Sequence, residues 1–314
     1  MEIIDAHAHI YDQLTGYGAK GEFRPLGDGW GVWATGEKEQ FLPAQYGDRA
    51  FLAETLLTLM AENHVSRAVL LQAGNYGFHN DYAAEAAHKY PGRFTAVATL
   101  DPYAGRAQDI LEHFIRDYHT TALKFEVSAE WGMTGYHPLL KLDGEVFRPI
   151  LSRANELEMT VVYDLGFMGT PSFDPDALFR VRREYPNITF VLTHCFFPCA
   201  DGQNDFRLRT ISALASDRFL FDISNLPPCV APEPFPYVSQ QEFLRKMRAA
   251  VGAERMIWGT DIPGVLRRYS YRELIEYVTE SGIFTGRELD QVMGGNARRV
   301  YHISRARLSE QAKP

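Results

Sequence analysis

Cysteine is scarce in this chain of 314 residues, with three in all, at positions 195, 199 and 229. They are too few and too clustered for a disulfide framework, and their spacing lacks the paired C-x-x-C of a zinc knuckle. They read as reduced thiols. Positive charge is also in deficit, with 32 Lys and Arg against 40 Asp and Glu, a formal charge of -8. Nucleic acids and anionic membrane surfaces call for an accumulated positive field, so neither is expected as the main partner. No apolar run approaches the roughly 18 to 20 residues that span a bilayer. No basic stretch leading into an apolar segment opens the chain, so a soluble, cytoplasmic protein is expected, with a small molecule or another protein open as its partner. Low-complexity tracts, internal repeats and Ser/Gly linkers are missing too. Only SRARLSEQAKP (304 to 314) reads as a polar tail.

What is present is a series of apolar, strand-like runs: IIDAHAH (3 to 9), RAVLLQA (67 to 73), FTAVATL (94 to 100), TALKFEV (121 to 127), TVVYDLG (160 to 166), ITFVLTH (188 to 194), FLFDIS (219 to 224) and RMIWGTD (255 to 261). Between them lie stretches of helical period, such as FLAETLLTLMAENH (51 to 64), DYAAEAAHKY (81 to 90), AQDILEHFIRDY (107 to 118), GEVFRPILSRANELE (144 to 158) and PDALFRVRREY (175 to 185). Near-continuous apolar strands separated by helices indicate parallel pairing buried on both faces. Eight such units predict an α/β fold, a (β/α)₈ TIM barrel of the usual size of about 250 residues plus insertions. The expectation is a single barrel domain over residues 1 to 303.

The connections are unequal. Helix-to-strand links are short turns, such as YPGR (90 to 93), YPN (185 to 187) and SDR (216 to 218), whereas strand-to-helix links are long: 10 to 50, 128 to 143, 195 to 204 and 225 to 237. The insertions therefore gather on the C-terminal face, where barrel enzymes build their sites. The first of them, with Trp30, Trp33, Arg24 and Arg49, is long enough to predict a loop lying over the active site as a lid.

The segment IIDAHAHIYD (3 to 12) places two histidines one residue apart in a strand. Alternation puts Asp5, His7 and His9 on one face and Ala6 and Ala8 on the other. Imidazole is the commonest nitrogen ligand for zinc, and closing a coordination sphere takes further groups. Other strand ends offer them: Lys124 and Glu126, Asp164, His194, Asp222 and Asp261. Charged groups in apolar strands are costly to bury unless paired or bound to metal, and strand ends around one rim converge on a common centre.

DAHAH (5 to 9), THC with His194, WGTDIP with Asp261 and GGNARRVY (294 to 301) together resemble the amidohydrolase-related family. That family includes aminocarboxymuconate semialdehyde decarboxylases, resorcylate decarboxylases, lactonases and hydratases. The resemblance runs from the first strand to about residue 301. It implies a metal-dependent barrel enzyme with His7, His9 and Asp261 as metal ligands and His194 as a nearby acid/base or ligand. It also suggests a homodimer or larger assembly. One departure stands out: decarboxylase-like members place a histidine at the end of strand five, where this chain has Asp164 in VVYDLG. A carboxylate can take that ligand place and hardens the site toward oxygen-preferring metals. The alternative pairs Asp164 with Lys124. Some amidohydrolases carbamylate a strand-four lysine, but Lys124 reads first as an ion-pair partner of Glu126 or Asp164. Asp222 reads as a hydrogen-bond anchor of the loop after strand seven.

The expected cofactor is a divalent metal, zinc first and manganese second, held by His7, His9, Asp261 and Asp164. His194 and Asp261 are the expected acid/base groups. Through a metal-activated water the site would hydrolyse a small, carboxylate-bearing ester, lactone or amide. Arg24 and Arg49 are expected to bind the substrate carboxylate, with Trp131 and His137 as further substrate contacts and His79 as a weaker one. Trp131, Phe167 and Phe196 are candidate walls of an apolar pocket. Non-oxidative decarboxylation of a small aromatic or unsaturated acid is the alternative chemistry. A barrel that has lost catalysis and serves as a binding module, and a metal-free hydrolase, are the remaining readings.

Overall fold

A computed structural model of the protein describes residues 1 to 304. The tail expected over 304 to 314 lies outside the described residues, apart from Ser304.

The chain opens with β1 (Ile4–Ala8), followed by β2 (Gly16–Gly18), β3 (Gly21–Gly27), β4 (Trp30–Trp33) and β5 (Lys38–Gln40). From there helix and strand alternate: α1 (Ala53–Glu62), β6 (Arg67–Leu70), α2 (Asn80–Lys89), β7 (Phe94–Ala96), α3 (Ala107–Asp117), β8 (Ala122–Glu126) and α4 (Arg148–Glu156). The order continues with β9 (Thr160–Asp164), α5 (Pro175–Glu184), β10 (Thr189–Leu192), α6 (Asn204–Leu214), β11 (Phe219–Asp222), α7 (Val238–Val251) and β12 (Met256–Ile257). Helices α8 (Tyr271–Thr279), α9 (Arg287–Asp290) and α10 (Asn296–Val300) end the chain. Every apolar run named in the sequence holds one barrel strand, since each pairs in parallel and buries both faces.

Two parallel sheets, β1-β6-β7 and β12-β11-β10-β9-β8, make up the barrel wall. Isolated bridges join them. Between β7 and β8, Ala98 N donates to Ala122 O (3.2 Å) and Lys124 N to Ala98 O (2.8 Å). Between β12 and β1, Ala6 N donates to Trp258 O (3.2 Å) and Asp261 N to His7 O (2.7 Å). The eight strands thus follow one another around a (β/α)₈ barrel. Each strand, or the residue just after it, contributes an aliphatic side chain to the interior: Ile4 and Ala6, Val69 and Leu71, Val97, Ala122, Val162, Val191, Leu220 and Ile257. The same cluster includes Ala297, Val300, Tyr301 and Ile303 from α10 and the residues after it, which seal the N-terminal end. Thr160 Oγ1 fastens that plug by donating to Val300 O at 2.6 Å.

Two of the outer helices start at side-chain caps that the sequence supplies. Asp174 accepts from Ala177 N ahead of Pro175, and Ser270 and Glu273 form a reciprocal capping box on α8.

Two expectations need correction. The first insertion is not a loop. Its strands form an antiparallel sheet in the order β2-β3-β4-β5, in which Phe23 stacks on Trp33 with ring centroids 4.4 Å apart. Gly31 makes that stack possible, because a Cβ there would lie 2.4 Å from Phe23. The strands are short and interrupted by glycine, so their period is hard to see. Second, β1 does not alternate strictly. Its register shifts between Asp5 and Ala8. Asp5 accepts from Thr260 Oγ1 (2.6 Å) and Tyr271 Oη (2.7 Å) toward α8, while His7 and His9 turn to the mouth of the barrel.

Candidate active site

At the C-terminal mouth, three imidazoles meet two carboxylates. The ligand atoms of His7, His194 and Asp261 all lie within 4.8 Å of one another. His9 joins them through its Nε2, 2.9 Å from Asp261 Oδ1, and His7 Nε2 is 3.3 Å from the same oxygen. His194 Nε2 sits 3.3 Å from Asp164 Oδ2 and 4.0 Å from Asp261 Oδ2. The rings of His7 and His194 stack with centroids 4.9 Å apart.

The outward nitrogens explain what the inward ones are for. His9 Nδ1 is 2.9 Å from the carbonyl of Leu71, which can only accept, so this nitrogen carries the proton. His194 Nδ1 likewise donates to Ser224, with the carbonyl at 3.1 Å and Oγ at 3.0 Å. His7 Nδ1 donates to Asp222 Oδ2 at 2.6 Å. In the neutral rings the three Nε2 atoms are therefore lone pairs aimed at carboxylate oxygens. Such an arrangement repels itself unless a proton or a cation lies between. His7 Nε2 is buried and has no hydrogen-bond partner among the described residues. A nitrogen-rich set with carboxylates around one point fits a divalent cation of the zinc type.

For His7 and His9 the electrostatics agree with neutral lone-pair donors, whereas in the absence of a cation a proton on His194 takes the place between that ring and its carboxylates. Burial, then Lys124 and the neighbouring histidines, hold His7 well below its usual pKa, and burial also lowers His9. Burial works against protonation of His194 too, yet Asp164, Asp261 and Asp222 outweigh it and raise that ring to about 9. Burial pushes Asp222 up to about 7. For Asp164 burial is opposed by His194, which wins and keeps the carboxyl below its usual range.

The amidohydrolase family profile matches residues 4–303. The chain belongs to the amidohydrolase family. Among solved structures, this amidohydrolase resembles a probable 2-pyrone-4,6-dicarboxylic acid hydrolase from Acinetobacter baumannii with citric acid bound, at 15% identity, covering 96% of this chain and 100% of that one, TM-score 0.68. An amidohydrolase from Burkholderia multivorans with bound zinc is 18% identical, covering 97% and 100%, with TM-score 0.68. A 2,6-dihydroxybenzoate decarboxylase from Rhizobium is 16% identical, covering 80% and 88%, with TM-score 0.58. These likenesses establish the shared barrel. Comparison with curated protein sequences gives no match.

The amidohydrolase site opens into a cavity of about 350 Å³, whose lining includes His9, Lys124, Asp164, Asp261, Trp131, Phe167, Phe197, Arg267 and Arg268. Trp131 is where the sequence suggested. Arg24 and Arg49 are not: both are exposed outside this lining, with Arg49 beside Asp48 at 3.4 Å. Charge type reveals nothing about the direction of a side chain on a strand. His137 also stays outside, bonded to Asp101 Oδ2 at 2.8 Å, and His79 bonds Tyr76 O at 2.9 Å. Phe196 packs inward on Phe173, and its neighbour Phe197 takes the cavity wall. The Asp164 carboxylate pairs with His194, not with Lys124. Glu126 accepts from Gly74 N at 3.1 Å. Asp222 does anchor the loop after β11, accepting from Ser224 N at 2.7 Å, while its other oxygen holds His7.

Four positions escaped the sequence reading. Arg267 and Arg268 lie just past the WGTDIP motif, Ser224 bridges His7 and His194, and Asn225 donates to Asp261 Oδ2 at 2.7 Å. Each follows a barrel strand closely, the only signal available. The protein is an enzyme of the amidohydrolase superfamily, and no helix of the described residues is long and apolar enough to cross a membrane.

Proposed function

We propose that this amidohydrolase is a divalent-metal-dependent hydrolase of a small, carboxylate-bearing ester, lactone or amide. The observation that supports it is the orientation of three imidazoles, each spending its Nδ1 proton on an outside acceptor and turning Nε2 to one point beside Asp261. His7, His9, His194 and Asp261 hold the ion, with Asp164 as the further oxygen ligand. Zinc suits imidazole nitrogens best, with manganese the next candidate as carboxylates enter the set. When bound, such an ion acidifies water and polarises a carbonyl.

The chain supplies the rest. Asn225 donates to Asp261 Oδ2 and so fixes the orientation of this carboxylate, which would help hold the ion and serve as the base toward the attacking water. Asp261 is the most accessible of the histidine and aspartate group, with a side chain 19% exposed, as proton exchange with the cavity requires. Arg267 and Arg268 bind the substrate carboxylate from the rim. Trp131, Phe167 and Phe197 cover its apolar part, with Phe167 and Phe197 ring centroids 4.4 Å apart.

Elemental analysis of the purified protein, wild type beside Asp261→Asn and Asp164→Ala, tests the centre. Near-stoichiometric metal in wild type, lost in both variants, is the expected result. No metal after reconstitution overturns the reading and favours a binding module. Turnover in ¹⁸O-water tests the reaction: hydrolysis puts solvent oxygen into the product. Release of CO₂ without that label identifies decarboxylation instead.

A further inference from the structure

We propose that Arg207 is a positioning residue of the active site, a clamp on the strained turn that carries His194 and Phe197. After β10 the chain takes a left-handed path over four consecutive residues, none of them glycine: His194 (φ 56°), Cys195 (φ 49°), Phe196 (φ 61°) and Phe197 (φ 49°). On that path a side chain brings its Cβ too near the following carbonyl oxygen, so such residues occur singly and seldom in runs. A run of four persists only where its surroundings over-determine it.

The turn sends its side chains in different directions. His194 stays between Asp164 and Ser224, with Nε2 3.3 Å from Asp164 Oδ2 and Nδ1 3.0 Å from Ser224 Oγ. Phe196 packs away from the cavity on Phe173. Phe197 returns to the cavity wall, its ring centroid 4.7 Å from that of His194. Relaxing the backbone to the right-handed region would redirect all three.

The groups that hold the turn come from outside it. Arg207, on α6, is 1% exposed, and its Nε donates to Phe196 O at 3.0 Å. Its Nη1 and Nη2 grip Asp201 at 2.7 and 2.6 Å, and Nη1 also donates to Asn204 Oδ1 at 3.1 Å. One planar fork thus ties the middle of the turn to the far end of the same loop. A second buried side chain, Gln240 of α7, donates to Pro198 O at 3.0 Å. Burying a guanidinium is costly unless it is paired and hydrogen-bonded. Here its partners Phe196, Asp201 and Asn204 all lie within 196–204, so the buried charge serves this loop. The effect on a bound metal rests on the reading of the centre given above, but the clamp does not.

The test uses the full-length protein as Arg207→Lys, which keeps the charge and loses the fork, and as Asp201→Asn, a milder change at a partly exposed partner. In metal-free Arg207→Lys, hydrogen exchange of the peptide spanning 194–199 should quicken by about tenfold or more, with peptides of β1 and β12 unchanged. Cobalt(II) should bind about tenfold more weakly, and its visible absorption bands, which report ligand geometry, should shift. Adding Cys195→Gly, which takes the left-handed path without a steric clash, should restore much of both. That rescue separates positioning from bulk stability, because deleting the buried Cys195 side chain leaves a void and cannot repair a general loss of stability. Wild-type exchange in both single variants overturns the proposal, as does a double variant no better than Arg207→Lys alone. Quickened exchange with an unshifted cobalt spectrum overturns the positioning of His194. Should Arg207→Lys fail to fold, Asp201→Asn decides by the same two readouts. A wild type that binds no cobalt strikes at the functional reading alone, and exchange with its rescue still decides for or against the clamp.

Discussion

His7 Nδ1 and Asp222 Oδ2 lie 2.6 Å apart, both fully buried, and this contact decides which nitrogen of His7 faces the cavity. The carboxylate takes the Nδ1 proton's hydrogen bond, so Nε2 is left as a lone pair.

Replacing that carboxylate by an amide of the same shape should therefore weaken the metal. Asp222→Asn is expected to lower affinity roughly 10- to 100-fold, read by competition with a chelator of known affinity. Unchanged affinity sinks the orienting role.

Gly259 sits where a Cβ would come 2.7 Å from His7 Cβ and 2.8 Å from His7 N. Gly259→Ala should push β1 away from β12 and displace His7, costing metal affinity while the barrel still folds. Chelator competition and circular dichroism on the same samples separate the two effects. Full metal affinity in the variant rejects the argument.

Carboxylate recognition is assigned to the rim arginines. Arg268→Ala should raise KM about 10- to 100-fold, the worth of a hydrogen bond to a charged group, with a smaller change in kcat. Arg24→Ala should leave both parameters at wild-type values, because that side chain is exposed outside the cavity lining. The reverse pattern would return the substrate to the first insertion.

Glu126 gives a pH signature. Burial pushes it up from 4.5 to about 7, with Lys124 opposing and Asp164 reinforcing. The folded state then holds the proton more tightly than the unfolded chain, so stability is full below about 4.5 and is lost as pH rises through about 7. Glu126→Gln removes that loss. In metal-free protein, its melting temperature should match wild type at pH 4 and exceed it at pH 8, by an amount worth about 3 kcal/mol at most. Equal melting at both pH values excludes the buried carboxylate as the cause.

Asp5 ties β1 to the loop before α8 and to α8 itself, accepting from Thr260 N at 2.9 Å, Thr260 Oγ1 at 2.6 Å and Tyr271 Oη at 2.7 Å. Asp5→Ala leaves those donors buried without an acceptor and should cost about 3 kcal/mol, measured by urea unfolding. A cost near zero means water replaces the carboxylate.

The barrel was legible because parallel strands buried on both faces must be apolar along their whole length, and the runs from Ile4 to Ile257 are so. The convergence of His7, His194 and Asp261 was legible because they are charged or polar interruptions at the ends of such runs. What lay hidden depended on direction. The Arg24 side chain points out of a short β3 that glycines obscure, and Arg267 and Arg268 reach the cavity only because of the turn after β12. Ser224 and Asn225 are small polar residues with no spacing rule, and they matter through single hydrogen bonds. The shift in β1 between Asp5 and Ala8 also leaves no mark in a sequence of regular alternation.

The plug of Val300, Tyr301 and Ile303 at the N-terminal end makes the barrel a blind well. The cavity beside His9 and Asp261 is therefore reached from the C-terminal face, and nothing threads the axis of the cylinder, which side chains from all eight strands fill.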